Sequence, residues 1–559
     1  MSTPSSIRYA KNAGSVPAAP AAVAAPDGYG ADTAAEILAA GGNAVDAAVA
    51  VAFTLAVTYP EAGNIGGGGF ATLFVNGRSY FLDYRECAPG RAEANMYLDV
   101  AGNIVPGAST IGAGAAGVPG TVAGLSQLHR RFGSLAWADL LAPAIRYARE
   151  GFRVSRTLTA LRDHRAAQLR GRTNFLAYFG ALETDATLRQ PELEATLQRI
   201  ADEGPDGFYA GRSAALIVAE MDSSHGHITR ADLEAYRAVW REPLVGEWAD
   251  HTVITAPLPS SGGIALLSML NMRRHLAPAF ADVTPNSAQY VHLLAEIEKR
   301  VFADRAEYLG DPDFHPVSAP ALLDPGYLAR RAREVNTLRP TPTVEVKPGL
   351  VEHYSTTHFS LVDRWGNAVS NTYTVNDWFG CCQVVSGAGF LLNNEMDGFS
   401  AKPGIPNILG VIGGDANAIE AGKRPLSTMT PTILTKEGRV AIVIGTPGGS
   451  RIATSIFQVL SNWHDYHMPL HAAVSAPRVH HQLLPPDTIF EEPYAALHPT
   501  ARQALIDRGY TFVNQGWNGD VEVILVAASG TESVSDPRGR GAARVLLPQG
   551  APSGRHGHP

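Results

Sequence analysis

Three cysteines in 559 residues are too few for a disulfide framework. Two of them, Cys381 and Cys382, are adjacent and have no Cys or His partner at ligand spacing, so neither a metal site nor a metal cofactor is expected; small core residues are the better reading. No apolar run approaches the ~20 residues a membrane-spanning helix needs, which removes the membrane as an expected partner. A basic surplus is missing too: 45 Lys and Arg stand against 53 Asp and Glu, a net charge of -8. That leaves no electrostatic footprint for nucleic acid. The opening stretch MSTPSSIRYAKNAGSVPAAPAAVAAPDG scatters charge and proline where an export signal would place a basic segment and then a leucine-rich core. The expected location is therefore cytoplasmic. What the chain does have is apolar residues, 45% of the total, enough for a large buried core.

Along the chain, residues 1 to about 20 are Ala, Pro and Ser-rich and are expected to be poorly ordered, as is the tail from about 548. Asp32 to Val57 reads as two helices broken at Gly-Gly-Asn, the second apolar on most sides. Glycines 66 to 69 follow without the Lys-Ser/Thr of a phosphate loop or the spacing of a dinucleotide fingerprint, so close backbone packing is their expected use. Ala71–Val75 and Ser79–Arg85 read as strands joined at Asn-Gly-Arg. Val122 to about Val218 is helical in pattern, and Ser260 or Ser261 suits the N-cap of a following helix. Gln289 to Leu309 is a long helix whose Glu, Lys and Arg residues are expected on its outer face. Asn336 to Val351, with three prolines, reads as a loose connector.

The stretch that organises the rest is Ser355 to Asn376. Thr356–Asp363 and Ala368–Val375 are rich in β-formers and flank the turn-prone Arg-Trp-Gly-Asn, which predicts a hairpin. Pairing Asp363 with Ala368 brings Thr374 and Val375 opposite Thr357 and Thr356, a hydroxyl cluster at the hairpin's open end. Strand threonines are ordinarily structural. The alternative is a chain that cuts itself between Ser355 and Thr356, so that the new α-amino group becomes the base for the Thr356 hydroxyl.

The run TTHFSLVDRWGNAVSNTYTVN, then GFLLNNEMDGFS, KRPLSTMTPTI and GTPGGSRI, resembles the γ-glutamyltransferase family. Upstream, GGNAVDAAVAVAFTLAV, GNIGGGGF, DYRECAP, AAGVPGTVAGL, PLPSSGGI and FADRAEYLGDPDF agree with it in order, from about Ala22 to Arg544. The resemblance implies an α/β, four-layer αββα sandwich of N-terminal-nucleophile hydrolase type, made from one precursor. A large part, residues 21–355, and a small part, residues 356–559, would form a heterodimer or a dimer of such heterodimers. It implies Thr356 as nucleophile, Thr374 as its hydroxyl partner, and Gly448 and Gly449 as the oxyanion hole. Arg85, Ser427 and Thr428 would hold a substrate carboxylate, and Asn376 and Glu395 its α-amino group.

One departure stands inside that set. The family's second aspartate in Asn-Asn-Glu/Gln-Met-Asp-Asp-Phe-Ser is Gly398 here, and Trp378 and the cysteine pair lie beside Asn376. Three enzymatic readings follow for a small carboxylate-bearing substrate: a γ-glutamyl hydrolase or transferase by default, an acylase for a glutaryl-type group without an α-amine, or a C–C bond hydrolase acting on an oxo-acid in 4-alkylproline antibiotic pathways. An unprocessed binding homologue is the non-enzymatic alternative.

Overall fold

The computed structural model describes residues 20–169, 171–316, 319–346, 356–402, 414–514 and 519–547. Ser355 and most of the two terminal segments expected to be poorly ordered lie outside the described residues. Two antiparallel sheets face each other. The first has seven strands in the order Ala542–Leu546, Ala21–Ala25, Thr356–Val362, Ala368–Thr374, Gly68–Val75, Arg78–Tyr84 and Val239–Arg241. The second has six, in the order Gly530–Ser535, Glu522–Ala527, Arg439–Gly445, Thr432–Lys436, His251–Thr255 and Leu244–Trp248. Helices Gly28–Ala39, Ala44–Thr58, Thr121–Phe132 and Trp137–Glu150 pack on the outer face of the first sheet, against Phe359, Leu361, Val369 and Tyr373. Helices Gly262–His275, Ala288–Tyr308 and Arg451–His464 cover the second, against Val253, Leu434, Ile442 and Ile444. The result is the αββα sandwich the resemblance implies.

Period-two alternation explains how the hairpin serves both neighbours. Phe359 and Leu361 point at the helices, while Val362 and Ala368 meet Ile254, Ile433, Val443 and Ile524 between the sheets. Towards the start of the hairpin this apolar seam turns polar. His358 Nδ1 lies 2.8 Å from Thr372 Oγ1, and the Ser360 and Ser370 hydroxyls donate to the carbonyls of Glu522 and Ile444. The strand at Ala21–Ala25 has no sequence signal, because alanine is a weak strand former; it is fully enclosed between Ala542–Leu546 and the hairpin, where small residues fit.

Two expectations are corrected. The ladder pairs Val362 with Ala368, so Thr374 sits directly across from Thr356 and not from Thr357. Asp363 is taken out of the ladder because its carboxylate closes the turn. It accepts the backbone N–H of Trp365 and Asn367 at 2.9 Å each, and that of Ala44, at the start of a helix, at 3.0 Å. The second correction concerns helix Ala288–Tyr308, whose Glu296, Glu298, Lys299 and Arg300 are buried instead of forming an outer face.

Candidate active site

Thr356 heads a central strand of the first sheet, buried, with its side chain on the face turned to the second sheet. Thr374 is its cross-strand neighbour. The chain leaves Thr374 in a tight bend: the Asn376 N–H donates to Thr374 Oγ1 at 2.8 Å, and Asn376 has φ of 76°, a left-handed conformation that asparagine tolerates better than most residues. Glycines are what let the flanking strand approach. A Cβ at Gly67 would lie 2.0 Å from the Thr374 carbonyl oxygen, and one at Gly69 would lie 2.4 Å from Tyr373 Cβ.

The loop carrying Gly448 and Gly449 leaves strand Arg439–Gly445 at the same end of the sandwich, since a Cβ on Gly445 would meet the His358 ring at 2.3 Å. Gly448 has φ of 137°, natural only to glycine, and Gly449 has φ of 58°, in the left-handed region that glycine enters without strain. Helix Arg451–His464 begins immediately after, with Gly448 and Gly449 carbonyls accepting its first N–H groups at 3.1 Å each. Its N-terminal end therefore carries the positive pole of the helix dipole into this corner. His358 lies two residues along the same strand face from Thr356; burial drives its pKa down to about 3, so the imidazole is neutral and no base at ordinary pH.

A second cluster forms around Arg85, which follows strand Arg78–Tyr84. Its Nη1 is 2.5 Å from Glu395 Oε1 and 3.4 Å from Glu86 Oε2, and its Nε donates to the Pro425 carbonyl at 3.3 Å. All three ionic groups are buried. Burial and the Glu395 charge raise the Glu86 carboxyl well above its ordinary pKa, with Arg85 opposing. Gly398 faces this pair: a Cβ there would lie 3.3 Å from Glu395 Oε2 and 3.5 Å from Arg85 Nη2. Asn393 aims Glu395, its side chain bonding both Gly117 backbone groups, the Gly66 carbonyl and the Glu395 N–H. The two clusters are linked where Asn376 Nδ2 donates to the Asn394 carbonyl at 3.0 Å. Ser427 and Thr428 follow Pro425 by two and three residues, both buried.

Residues to which local pattern gave no part in the site hold this geometry. Ser261 stands at the N-cap of helix Gly262–His275, as expected, though its own side chain does not cap it; the Gly262 N–H donates to Ser260 Oγ at 3.2 Å. The Ser261 N–H and hydroxyl also both donate to the Ser427 carbonyl, at 2.7 and 2.8 Å, and Ser260 Oγ donates to the Met429 carbonyl at 2.6 Å. Arg305 Nε donates to Ser261 Oγ at 2.7 Å. Gly262 is required beneath this strap, since a Cβ there would lie 2.0 Å from Thr430 Oγ1. Arg165 pairs with Asp377 at 2.8 Å and donates to the Gly380 carbonyl at 3.0 Å, bracing the loop beside Asn376. The motif PLPSSGGI carried the signal for Ser260–Gly263; nothing local marks Arg165. Among the described residues no group of three His, Cys, Asp or Glu could hold a metal, and no helix is long and apolar enough to cross a membrane.

Facing sheets between helical layers, with a threonine at the head of a central strand beside a glycine loop, define the N-terminal-nucleophile hydrolase class. Within it the chain belongs to the γ-glutamyltranspeptidase family, whose model matches residues 30–546. It is 58% identical over 528 residues to the glutathione hydrolase proenzyme of Pseudomonas aeruginosa, a match covering 94% of this chain and 95% of that protein. The solved structure of γ-glutamyltranspeptidase from Pseudomonas nitroreducens complexed with L-DON is 56% identical, with a TM-score of 0.58 over 58% of this chain and 97% of its own. That of cephalosporin acylase from Bacillus halodurans is 28% identical, with a TM-score of 0.82 over 97% and 99%. The chain is accordingly an enzyme, a hydrolase or acyltransferase.

Proposed function

We propose that the chain cuts itself between Ser355 and Thr356, and that the product hydrolyses or transfers the γ-glutamyl group of glutathione-like amides through an ester on Thr356. The observation that carries this is the direct Thr356–Thr374 pairing at the end of the sandwich where the Gly448–Gly449 loop arrives. In the first reaction Thr356 Oγ1 attacks the Ser355 carbonyl carbon, the C–N bond breaks as the hydroxyl proton passes to the departing nitrogen, which frees the α-amine and leaves an ester, and water hydrolyses that ester to a Ser355 carboxylate and the free Thr356 hydroxyl. In the second the amine, with an ordinary pKa near ~8, takes the hydroxyl proton as Oγ1 attacks the γ-carbonyl. The backbone N–H groups of Gly448 and Gly449 would receive the developing oxyanion. The protonated amine then gives its proton to the leaving nitrogen, and water or an acceptor amine releases the acyl group. The neutral, buried His358 leaves the α-amine as the base on this face. The Pseudomonas nitroreducens chain supports cleavage: nearly all of it is matched, yet it spans only 58% of this one, the size of a large part ending before Thr356. The two parts would stay together because Thr356–Val362 and Ala368–Thr374 pair with Ala21–Ala25 and Gly68–Val75 inside one sheet.

For substrate, Arg85 with Ser427 and Thr428 would hold the α-carboxylate, and the Glu395 carboxylate would meet the α-ammonium. Glu395 Oε2 lies beside the position where the family's aspartate would stand at Gly398, so a carboxylate reaches that spot from one turn away. The missing aspartate favours a second reading, acylase action on a glutaryl-type group that has no ammonium, and the likeness to a cephalosporin acylase supports it. No described residue singles out an oxo-acid. Intact mass of the purified protein beside a Thr356→Ala variant tests the first claim: wild type is expected as two fragments, 1–355 and 356–559, and the variant as one chain. Two whole chains would end it. Rates on γ-glutamyl-p-nitroanilide and its glutaryl analogue decide the second.

A further inference from the structure

Helix Ala288–Tyr308 buries four charged side chains on one stretch, Glu296, Glu298, Lys299 and Arg300. Buried charges are costly unless they are paired and hydrogen-bonded. Three of these four converge on one neutral residue. The Thr341 N–H donates to Glu296 Oε1 at 3.0 Å, and its hydroxyl donates to Glu296 Oε2 at 2.6 Å while accepting from Arg300 Nη2 at 3.0 Å. Its carbonyl accepts from Lys299 Nζ at 2.7 Å. Every polar group of Thr341 is thus engaged. The grip extends to both sides: His292 Nε2 lies 2.8 Å from the Asn336 carbonyl oxygen, Gln289 donates to Thr337, and Val346 packs against Phe302, Ala303 and Leu483. Lys299 also pairs with Asp487, which belongs to the other side of the proposed cut, at 2.9 Å.

Residues 336–346 are the last described stretch before Thr356, so the expected loose connector is held along that part. Resting on the self-cleavage reading above, we propose that Glu296, Lys299 and Arg300 with Thr341 form a register anchor for that reaction. It fixes one end of the segment that carries the scissile bond, as the Thr356–Thr374 pairing fixes the other. An acyl shift within a chain depends on holding hydroxyl and carbonyl in near-attack geometry. From Thr341 to Thr356 there are fifteen residues, at most ~54 Å of chain, and letting the anchor go widens the conformations the bond can sample. These residues are positioning groups; none touches the reacting atoms. In the cut enzyme the Lys299–Asp487 pair would keep the new end of the large part on the small one. Burial would raise the Glu296 carboxyl, but Lys299, the Thr341 bonds and Arg300 hold it below its ordinary pKa, so Glu296 is a carboxylate at neutral pH.

The test follows full-length chain to fragments in a pulse-labelled cell-free translation, for wild type, Thr341→Val and Thr341→Ser. Thr341→Val is expected to slow cleavage tenfold or more, and Thr341→Ser, which keeps the hydroxyl, to stay within twofold of wild type. Thr341→Val enzyme allowed to mature fully is expected to keep kcat/KM on γ-glutamyl-p-nitroanilide within twofold. Cleavage of Thr341→Val at the wild-type rate overturns the anchor, and so does a loss of turnover in the matured variant that parallels its slow cleavage. If Thr341→Val yields no soluble chain, Glu296→Gln, which keeps the shape and removes the charge, is judged by the same two criteria. A wild-type chain that never cleaves refutes the self-cleavage reading instead, which separates the two failures.

Discussion

The Glu395 carboxylate is the group whose loss tells the two acyl specificities apart. Glu395→Gln keeps the side chain's size and a hydrogen bond to Arg85 while removing the charge proposed to face an α-ammonium. Removing one partner of a buried, hydrogen-bonded charge pair costs about 2–5 kcal/mol. Each ~1.4 kcal/mol is a factor of ten, so kcat/KM for γ-glutamyl-p-nitroanilide should fall at least about 30-fold. A glutaryl anilide lacks the ammonium and should change less than about 3-fold. Adding Gly398→Asp to Glu395→Gln places a carboxylate back at the same spot, since the new Cβ would stand 3.5 Å from Arg85 Nη2. It would also stand 3.0 Å from Pro425 Cβ, so the strap must yield by a few tenths of an ångström. The double variant should recover about 10-fold of the γ-glutamyl rate. Full kinetics on both substrates for the four proteins of this cycle give the answer. An equal loss on both substrates would refute the reasoning, because Glu395 would then be acting only by orienting Arg85 on the carboxylate.

Thr374→Val deprives the half-buried Asn376 N–H of its acceptor, a cost of about 1 kcal/mol; a lower Tm and slower fragment formation are expected, and unchanged values in both would remove Thr374 from the site. Arg165→Met leaves Asp377 without its buried cation and should cost about 3 kcal/mol, the low end for a broken buried pair because Asp377 is partly exposed. It should raise KM more than it lowers kcat, and the reverse split would show that the brace does not act through the substrate loop. Burial holds both His358 and His480 at a pKa of about 3, below the ~6.5 of an unfolded chain. Between those values only the unfolded state takes the proton, so stability should fall with falling pH by about 1.4 kcal/mol per unit for each histidine. Urea titrations at pH 7, 6 and 5 measure this, and His358→Gln should flatten the slope by that amount.

The fold's repeating parts were legible where side-chain period and turn chemistry agree. The hairpin, the Asn-Gly turn at Asn76–Gly77 and the two helices broken at Gly41–Gly42 follow directly from local pattern. Elements defined by partners were not. Ala21–Ala25 is a strand because two neighbours enclose it, and Glu296, Lys299 and Arg300 point inward because Thr341 and Asp487 are there to receive them. A helix-surface reading of charge assumes water as the partner, and sequence alone gives no sign that a backbone strap takes water's place.

For the site, spacing could place hydroxyls at one end of a hairpin but missed the ladder by one residue, because a turn of four was counted where the Asp363 carboxylate closes one of five. That residue matters physically. Thr357 shares the face of Phe359 and Leu361, turned to the helices, whereas the observed ladder puts Thr356 and Thr374 together on the face of His358 and Thr372, turned to the second sheet. Gly398 was read as a deletion of charge, which is what a one-position comparison gives. Side-chain geometry changes its meaning: Glu395 is on the same short helical turn, Glu395–Gly398, and its longer arm carries a carboxylate to within 3.3 Å of where a Cβ at 398 would be. The pattern that this run resembles already carries Glu or Gln at the position of Glu395, so Gly398 leaves one carboxylate where two can stand, and Glu395 is the one that reaches the spot. An Arg85 paired with Glu395 already has its charge met in the resting site, so a carboxylate bound there as proposed would have to displace Glu395 from it. The freed Glu395 carboxylate would then turn to the ammonium, making amine and carboxylate recognition one coupled event. On that account substrates lacking the ammonium would forfeit the compensation, and a glutaryl anilide is expected to show a higher KM than γ-glutamyl-p-nitroanilide; an equal or lower KM would refute the coupling.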